Sequence, residues 1–203
     1  MKFTCQRSGN CCSHSKIYIT LTYQDLIPLL RATNSTENFL DSISYLRIEK
    51  TMKGEKRKQL LDQLVIHPLE TTEGDVIPVL KKKQGTTQCI FYNSENHACN
   101  IYENRPLACQ MFPIGLSEVN ERRVITWNSL ATKMCPGINK GEEMTLEYLK
   151  ELTEKAEEYI SDTNFKIDII NEETKRKSEK IKSKEGILTL LLLSHEYHKE
   201  NQN

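Results

Sequence analysis

Residues 89–113 read CIFYNSENHACNIYENRPLACQMFP, and three cysteines in this stretch, Cys89, Cys99 and Cys109, stand ten residues apart. Ile101-Tyr102 and Arg105-Pro106 separate the last two. Four further cysteines lie outside it: Cys5, Cys11 and Cys12 near the amino end, and Cys135 immediately before Pro136. The expectation is that folding gathers these seven thiols around metal. The fold class expected is α+β: a small cysteine-rich metal-binding domain of short antiparallel strands with covering helices, followed by a C-terminal helical tail.

Working outward, the totals narrow the class. A chain of 203 residues can bury a core without staples, so the cysteines are not needed merely to hold it closed. Basic and acidic residues balance at 28 each, which argues against a general nucleic-acid surface, since that needs a basic excess to displace counterions. The N-terminal Met-Lys-Phe-Thr-Cys-Gln has no apolar signal core. The longest apolar run, Ile187–Leu193, falls far short of the roughly 20 residues a membrane span requires. A cytoplasmic protein without membrane contact is expected. In a reducing compartment an odd set of seven cysteines points to metal ligands or redox groups rather than disulfides.

Residues 1–16 read as a compact loop, with Gly9-Asn10 turning the chain before Cys11-Cys12. Consecutive side chains diverge in extended chain, so both thiols reach one site only if the backbone folds sharply there; two sites, or one ligand and one core thiol, are the alternatives. Ile17–Ile19 suggests a short strand. Thr22 and Asp25 form a capping-box-like pair, Leu21 and Leu26 a hydrophobic staple, and Pro28 predicts a short or kinked helix. Helices are predicted over about 36–50, from Phe39, Leu40, Ile43 and Leu46, and over about 55–66, from Leu60, Leu61, Leu64 and Val65. Pro78 marks Val76–Leu80 as an edge strand. Lys81-Lys82-Lys83 reads as a solvated strand end. Gln88–Tyr92 and Cys99–Tyr102 form a small meander, and a helical turn fits Leu107–Met111 with Pro106 at its first position. Cys109 near that helix start is expected to be favoured as thiolate. A last strand spans Glu121–Trp127, with Trp127 as a core plug. The metal domain is bounded at 1–139. The charged helical tail, 140–203, begins with a helix capped by Thr145 that runs to about Ile160 on an apolar face of Leu146, Leu149, Leu152, Ala156 and Tyr159. The tail either packs back on the first domain or offers its helices to an unidentified protein partner.

Thiolate is a soft ligand suited to zinc or to an iron–sulfur cluster. The tight knuckles of zinc fingers are missing: successive cysteines are separated by five, zero, 76, nine, nine and 25 residues. Such dispersal suits an iron–sulfur cluster of the 4Fe-4S kind, and zinc is the other candidate. Cys5, Cys11, Cys12, Cys89, Cys99, Cys109 and Cys135 are the candidate ligands. Arg105 is a candidate donor to cluster or thiolate sulfur, with a structural salt bridge as the alternative. His14 or His97 could complete a second ligand set, though each reads first as a surface histidine, and His195 and His198 could bind metal at helical spacing, though they read first as part of a solvated tail end. No nucleophile elbow, phosphate-binding glycine loop or dinucleotide fingerprint is present.

The combination Phe3-Thr4-Cys5, Ser8-Gly9-Asn10-Cys11-Cys12, Cys89-Ile90-Phe91, Cys99-Asn100-Ile101-Tyr102, Arg105-Pro106, Cys109 and Phe112-Pro113 resembles the YkgJ-like cysteine-cluster family over about residues 1–137. The common domain of that family is described as zinc- or iron-chelating. This chain departs from the family in two places: Ser8 stands where a further cysteine is frequent, and Gln110 where arginine commonly follows the cysteine. The resemblance implies metal binding with an unsettled cellular role. A related cysteine pattern in flagellin lysine N-methylases implies, as an alternative, S-adenosylmethionine-dependent methyl transfer. A thiol redox role is the third reading, so catalysis is left open.

Overall fold

The structure, a computed structural model of the chain, describes residues 1–48, 65–119, 122–177 and 180–200. Its architecture is α+β, as expected. The centre is a three-stranded antiparallel sheet in the order β2 (Ile43–Ile48), β4 (Gly74–Leu80), β3 (Leu69–Thr71). Three two-stranded ribbons surround it. β1 (Lys2–Phe3) pairs with β9 (Ile138–Glu143), β5 (Tyr92–Asn93) with β6 (Ala98–Cys99), and β7 (Ile114–Val119) with β8 (Arg122–Trp127). The helices are α1 (Asn10–Ser13), α2 (Leu26–Thr33), α3 (Thr36–Asp41), α4 (Leu107–Met111), α5 (Ala131–Met134), α6 (Leu146–Arg176) and α7 (Ser183–Glu200).

Local chemistry explains most of these starts and stops. The Asp25 carboxylate accepts hydrogen bonds from the Thr22 backbone N–H and hydroxyl, each at 2.8 Å, and closes a 3₁₀ turn, Tyr23–Asp25, that opens α2. The staple residues Leu21 and Leu26 are both buried. Pro28 falls in the first turn of α2, where backbone N–H groups have no intrahelical partner, and the helix is short at 8 residues. Ser35 caps α3 and Thr145 caps α6, each side chain accepting an N–H three residues on.

Several expectations are corrected. The helix predicted over 36–50 stops at Asp41, and Ile43–Ile48 is strand β2, paired residue for residue with Leu80 back to Asp75. Ile43 and Leu46 continue the helical period of Phe39 and Leu40 by spacing alone; pairing and burial against β4 decide the matter. Val76–Leu80 lies in the central strand rather than at an edge. The Pro78 carbonyl accepts from the Leu21 N–H at 3.1 Å, on the side where β3 has already ended at Leu69↔Val76. The missing proline donor therefore faces the 19–21 segment and costs no β2 bond. That segment makes only an isolated bridge, Thr20↔Val79, so the strand expected at Ile17–Ile19 is extended chain lying alongside β4. Only Cys89 is bridged in the strand expected over Gln88–Tyr92, before β5 begins. Pro106 caps α4 from outside rather than filling its first turn. The α6 helix continues 16 residues beyond Ile160, to Arg176. The helix expected over 55–66 lies outside the described residues, apart from its last two positions.

The main core joins distant parts of the chain. Leu21, Leu26, Leu29, Phe39, Ile43, Leu69, Val76 and Ile101 share one apolar cluster with Ile167 and Ile170 of α6 and Ile187, Leu190 and Leu191 of α7. Cys89 and Cys99 pack against its margin. The proposed boundary at 139/140 falls inside β9. A second cluster sets Trp127, half-buried, and Ile114 against Leu149 and Leu152 of α6. The first turn of α6 is less covered than its apolar spacing implies, since Leu146 is 79% exposed. Among the described residues no helix is long and apolar enough to cross a membrane.

Candidate metal centre

The turn at Gly9 brings Cys11 and Cys12 to one place. Gly9 has φ 72°, the Ser13 N–H donates to its carbonyl at 3.0 Å, and the single-turn helix α1 follows. That sharp fold sets the two sulfurs 3.9 Å apart despite their adjacency in sequence. Asn10 Nδ2 donates to the Met134 carbonyl at 2.7 Å, and the Thr4 N–H to the Gly137 carbonyl at 3.2 Å. Together with the β1–β9 pairing these bonds bind the Cys5–Cys12 loop to the segment carrying Cys135.

The Cys89–Cys109 stretch meets that loop from the other side. The Cys89 N–H donates to the Cys12 carbonyl at 2.7 Å, and Cys89 bridges Lys82 at the end of the central sheet. Lys82, expected to be solvated, spends its ammonium on the His14 and Ser15 carbonyls, at 3.1 and 3.0 Å. β5 and β6 pair Tyr92 with Cys99. The α4 helix carries Cys109, and its Leu107 N–H donates to Asp25 Oδ1 at 2.9 Å. All seven cysteines are free thiols and all line one cavity of about 830 Å³. Cys5 is exposed, and the other six are half-buried.

Five of the thiols feel one another electrostatically. The Cys11–Cys12 pair shares a proton: the hydrogen bond between them lowers Cys11 to about 7 and raises Cys12. Burial raises Cys89 and Cys99, partly countered by the backbone N–H groups of Phe91 and Ile101, each two residues beyond the sulfur it serves. Cys109 is raised well above the usual thiol range by burial and by the nearby Cys89, Cys11 and Cys99. This reverses the expected helix-start effect. The α4 helix has only five residues, and desolvation outweighs whatever its terminus supplies. Arg105 is close enough to favour the charged forms of Cys11 and Cys99, and its guanidinium lies 4.2 Å from the Tyr102 ring centre.

The remaining candidates go elsewhere. His97 lines the cavity but bonds the Tyr92 hydroxyl through Nδ1 at 3.0 Å, and His14 Nδ1 accepts from the Lys16 N–H. The His195 and His198 side chains lie outside the described ones. Two contributors were hidden from the sequence: Asp25, which ties α4 to the start of α2, and Lys155 of α6, whose ammonium donates to Gln110 Oε1 at 3.1 Å. Gln110 Nε2 in turn donates to the Arg105 carbonyl at 2.8 Å. A basic group thus reaches the position after Cys109 from a helix far along the chain.

The donor set fits a thiophilic metal. It offers seven thiols around one cavity, backbone donors to sulfur and a nearby cation to balance thiolate charge. Two sulfurs bound to one tetrahedral zinc stand about 3.8 Å apart, close to the Cys11–Cys12 separation. Among the described residues no three His, Cys, Asp or Glu side chains are already gathered into a group able to hold an ion. The thiols stand around the cavity and must draw inward to share one.

No curated protein and no solved structure matches the chain. A family model, CxxCxxCC, described as "putative zinc- or iron-chelating domain", matches residues 4–136, a span that includes every cysteine. With about two thirds of its length matched, the chain belongs to the CxxCxxCC family.

Proposed function

We propose that the protein binds an iron–sulfur cluster through thiolates drawn from Cys11, Cys12, Cys89, Cys99 and Cys109, with Cys5 and Cys135, which line the same cavity, as further ligands. The observation that carries this reading is that seven thiols scattered over 131 positions of sequence line one cavity. Their spread around that cavity favours an inorganic core wider than a single ion. A bound cluster supplies one-electron chemistry or a structural cross-link. The chain's own residues supply sulfur donors, backbone N–H groups at Cys89 and Cys99, and the Arg105 charge. Zinc is the second reading, favoured specifically by the 3.9 Å Cys11–Cys12 separation.

Anaerobic purification followed by metal analysis and visible absorption tests both. A brown protein with iron and acid-labile sulfide supports the cluster; a colourless one with stoichiometric zinc selects the alternative. If reduced protein retains neither metal above background, even after reconstitution with iron and sulfide or with zinc, both readings fail.

A further inference from the structure

Two arginines converge on one tyrosine beside the thiols. The Arg7 guanidinium lies 5.1 Å from the Tyr102 ring centre and that of Arg105 lies 4.2 Å from it. The two cationic carbons are therefore within about 10 Å of one another, a span set by their shared ring. Arg7, Tyr102 and Arg105 all line the cysteine cavity. Among the described residues neither arginine has a carboxylate within ion-pair distance, including Glu103, which lines the same cavity.

Arg7 also holds an unusual backbone. Four non-glycine residues among those described have left-handed φ: Asn34, Asn139 and His97 (φ 52°), of types enriched in that region, and Arg7 (φ 49°), which is not; Arg7 and His97 both line this cavity. One exposed cation–π contact returns no more than such a backbone conformation costs, and the second guanidinium adds like-charge repulsion. Stacking on Tyr102 alone therefore does not explain why Arg7 is aimed there. A guanidinium stacked on an aromatic face keeps its N–H edge free, in the planar fork that matches carboxylate and phosphate oxygens. The cavity is also of a volume typical of small-molecule sites and larger than an inorganic centre needs.

We propose that Arg7 and Arg105, flanking Tyr102, form a clamp for the oxyanion group, carboxylate or phosphate, of a small molecule that enters the cysteine cavity. The clamp does not depend on which metal the thiols hold. Its ligand sits beside the thiols, so a bound metal would face whatever the arginines retain.

Calorimetric titration of the 203-residue protein with inorganic phosphate and, separately, with succinate, which chelates iron and zinc only weakly, in low-chloride buffer and with metal content recorded, tests the clamp and sorts phosphate from carboxylate. Saturable binding of at least one anion is expected, weakened tenfold or more in both Arg7→Gln and Arg105→Gln, with Arg7→Lys between them and wild type. Metal content in Arg7→Gln should equal that of wild type, so a failed clamp and a failed metal centre read out differently. If Arg105→Gln loses metal, Arg7→Gln alone decides. Absence of saturable binding for both anions, or wild-type binding in Arg7→Gln, overturns the proposal.

Discussion

Gly9 shows how tightly single residues shape the cysteine cavity. It sits at φ 72°, and a Cβ built there would overlap the Tyr92 hydroxyl and ring. Tyr92 is itself held by His97, so the ring has little room to withdraw. Gly9→Ala should cost about 2 kcal/mol or more, the sum of left-handed strain and displaced packing, and lower metal content in parallel. Denaturant unfolding and metal analysis of the variant measure both. The thiols lend themselves to a sharper comparison. Cys109 and Cys99 lie close enough to the other cavity sulfurs to feel their charge, so Cys109→Ser or Cys99→Ser should strip the metal and lower the thermal midpoint, because metal-binding energy of this kind is also folding energy. Full metal content in either variant would remove that residue from the ligand set. A pH dependence follows from the same sulfurs. Burial raises Cys89, Cys99 and Cys109, so the metal-free chain holds these protons through neutral pH and binding must expel them. Affinity should rise with pH, by up to about tenfold per unit for each proton released. Competition with a chelator at pH 6 and pH 8 checks the sign. The cysteines were legible in sequence because their chemistry is carried by residue type alone. Arg7 and Asp25 were not, since an arginine in a loop and an aspartate in a cap look ordinary until their partners are known.

At the scale of elements, Asp25 links two of them. Its carboxylate caps the turn before α2 through Thr22 and receives the Leu107 N–H at the start of α4, the helix that carries Cys109. Burial raises its pKa despite these donors. In Asp25→Asn one amide N–H group must face a backbone donor, which should cost about 1–3 kcal/mol at pH 7. A carboxyl whose folded-state pKa is raised contributes stability that is present below its unfolded pKa and lost as pH rises through the folded one. Wild type should therefore gain on Asp25→Asn as pH falls from 7 toward 5, and urea unfolding of both proteins at the two pH values measures the difference. A constant difference would mean that Asp25 does not titrate in that range. Elements were legible where a local signal fixed them: Thr22–Asp25, Thr145 and the α4 turn all stand where the sequence puts them. They were misread where a tertiary partner decided. Nothing in Ile43–Ile48 or Pro78 announces that β2 and the 19–21 segment will take opposite sides of β4.

For the whole molecule, the charged composition of the last third suggests an appendage, and the core says how much it carries. Ile167, Ile170, Ile187, Leu190 and Leu191 are all buried in the cluster that holds Leu21, Leu29 and Leu69. Five such side chains represent on the order of 10 kcal/mol of burial at roughly 2 kcal/mol each. That is an upper figure, because unfolded chains already bury some of this surface. It still matches the entire stability of an ordinary domain, about 5–15 kcal/mol. Polar ties run the same way: Asn171 takes the Glu70 N–H and donates to the Pro68 carbonyl, while Thr163 receives the Tyr23 N–H. Lys155 reaches Gln110 beside Cys109. A chain cut after Glu143 keeps β9, every cysteine and the whole family-matched span, yet loses this side of the core. It should show no cooperative thermal transition without metal and should bind a hydrophobic dye that the full chain excludes. A cooperative transition in the 1–143 chain within about 2 kcal/mol of the full protein would show instead that α6 and α7 cover a core already complete without them.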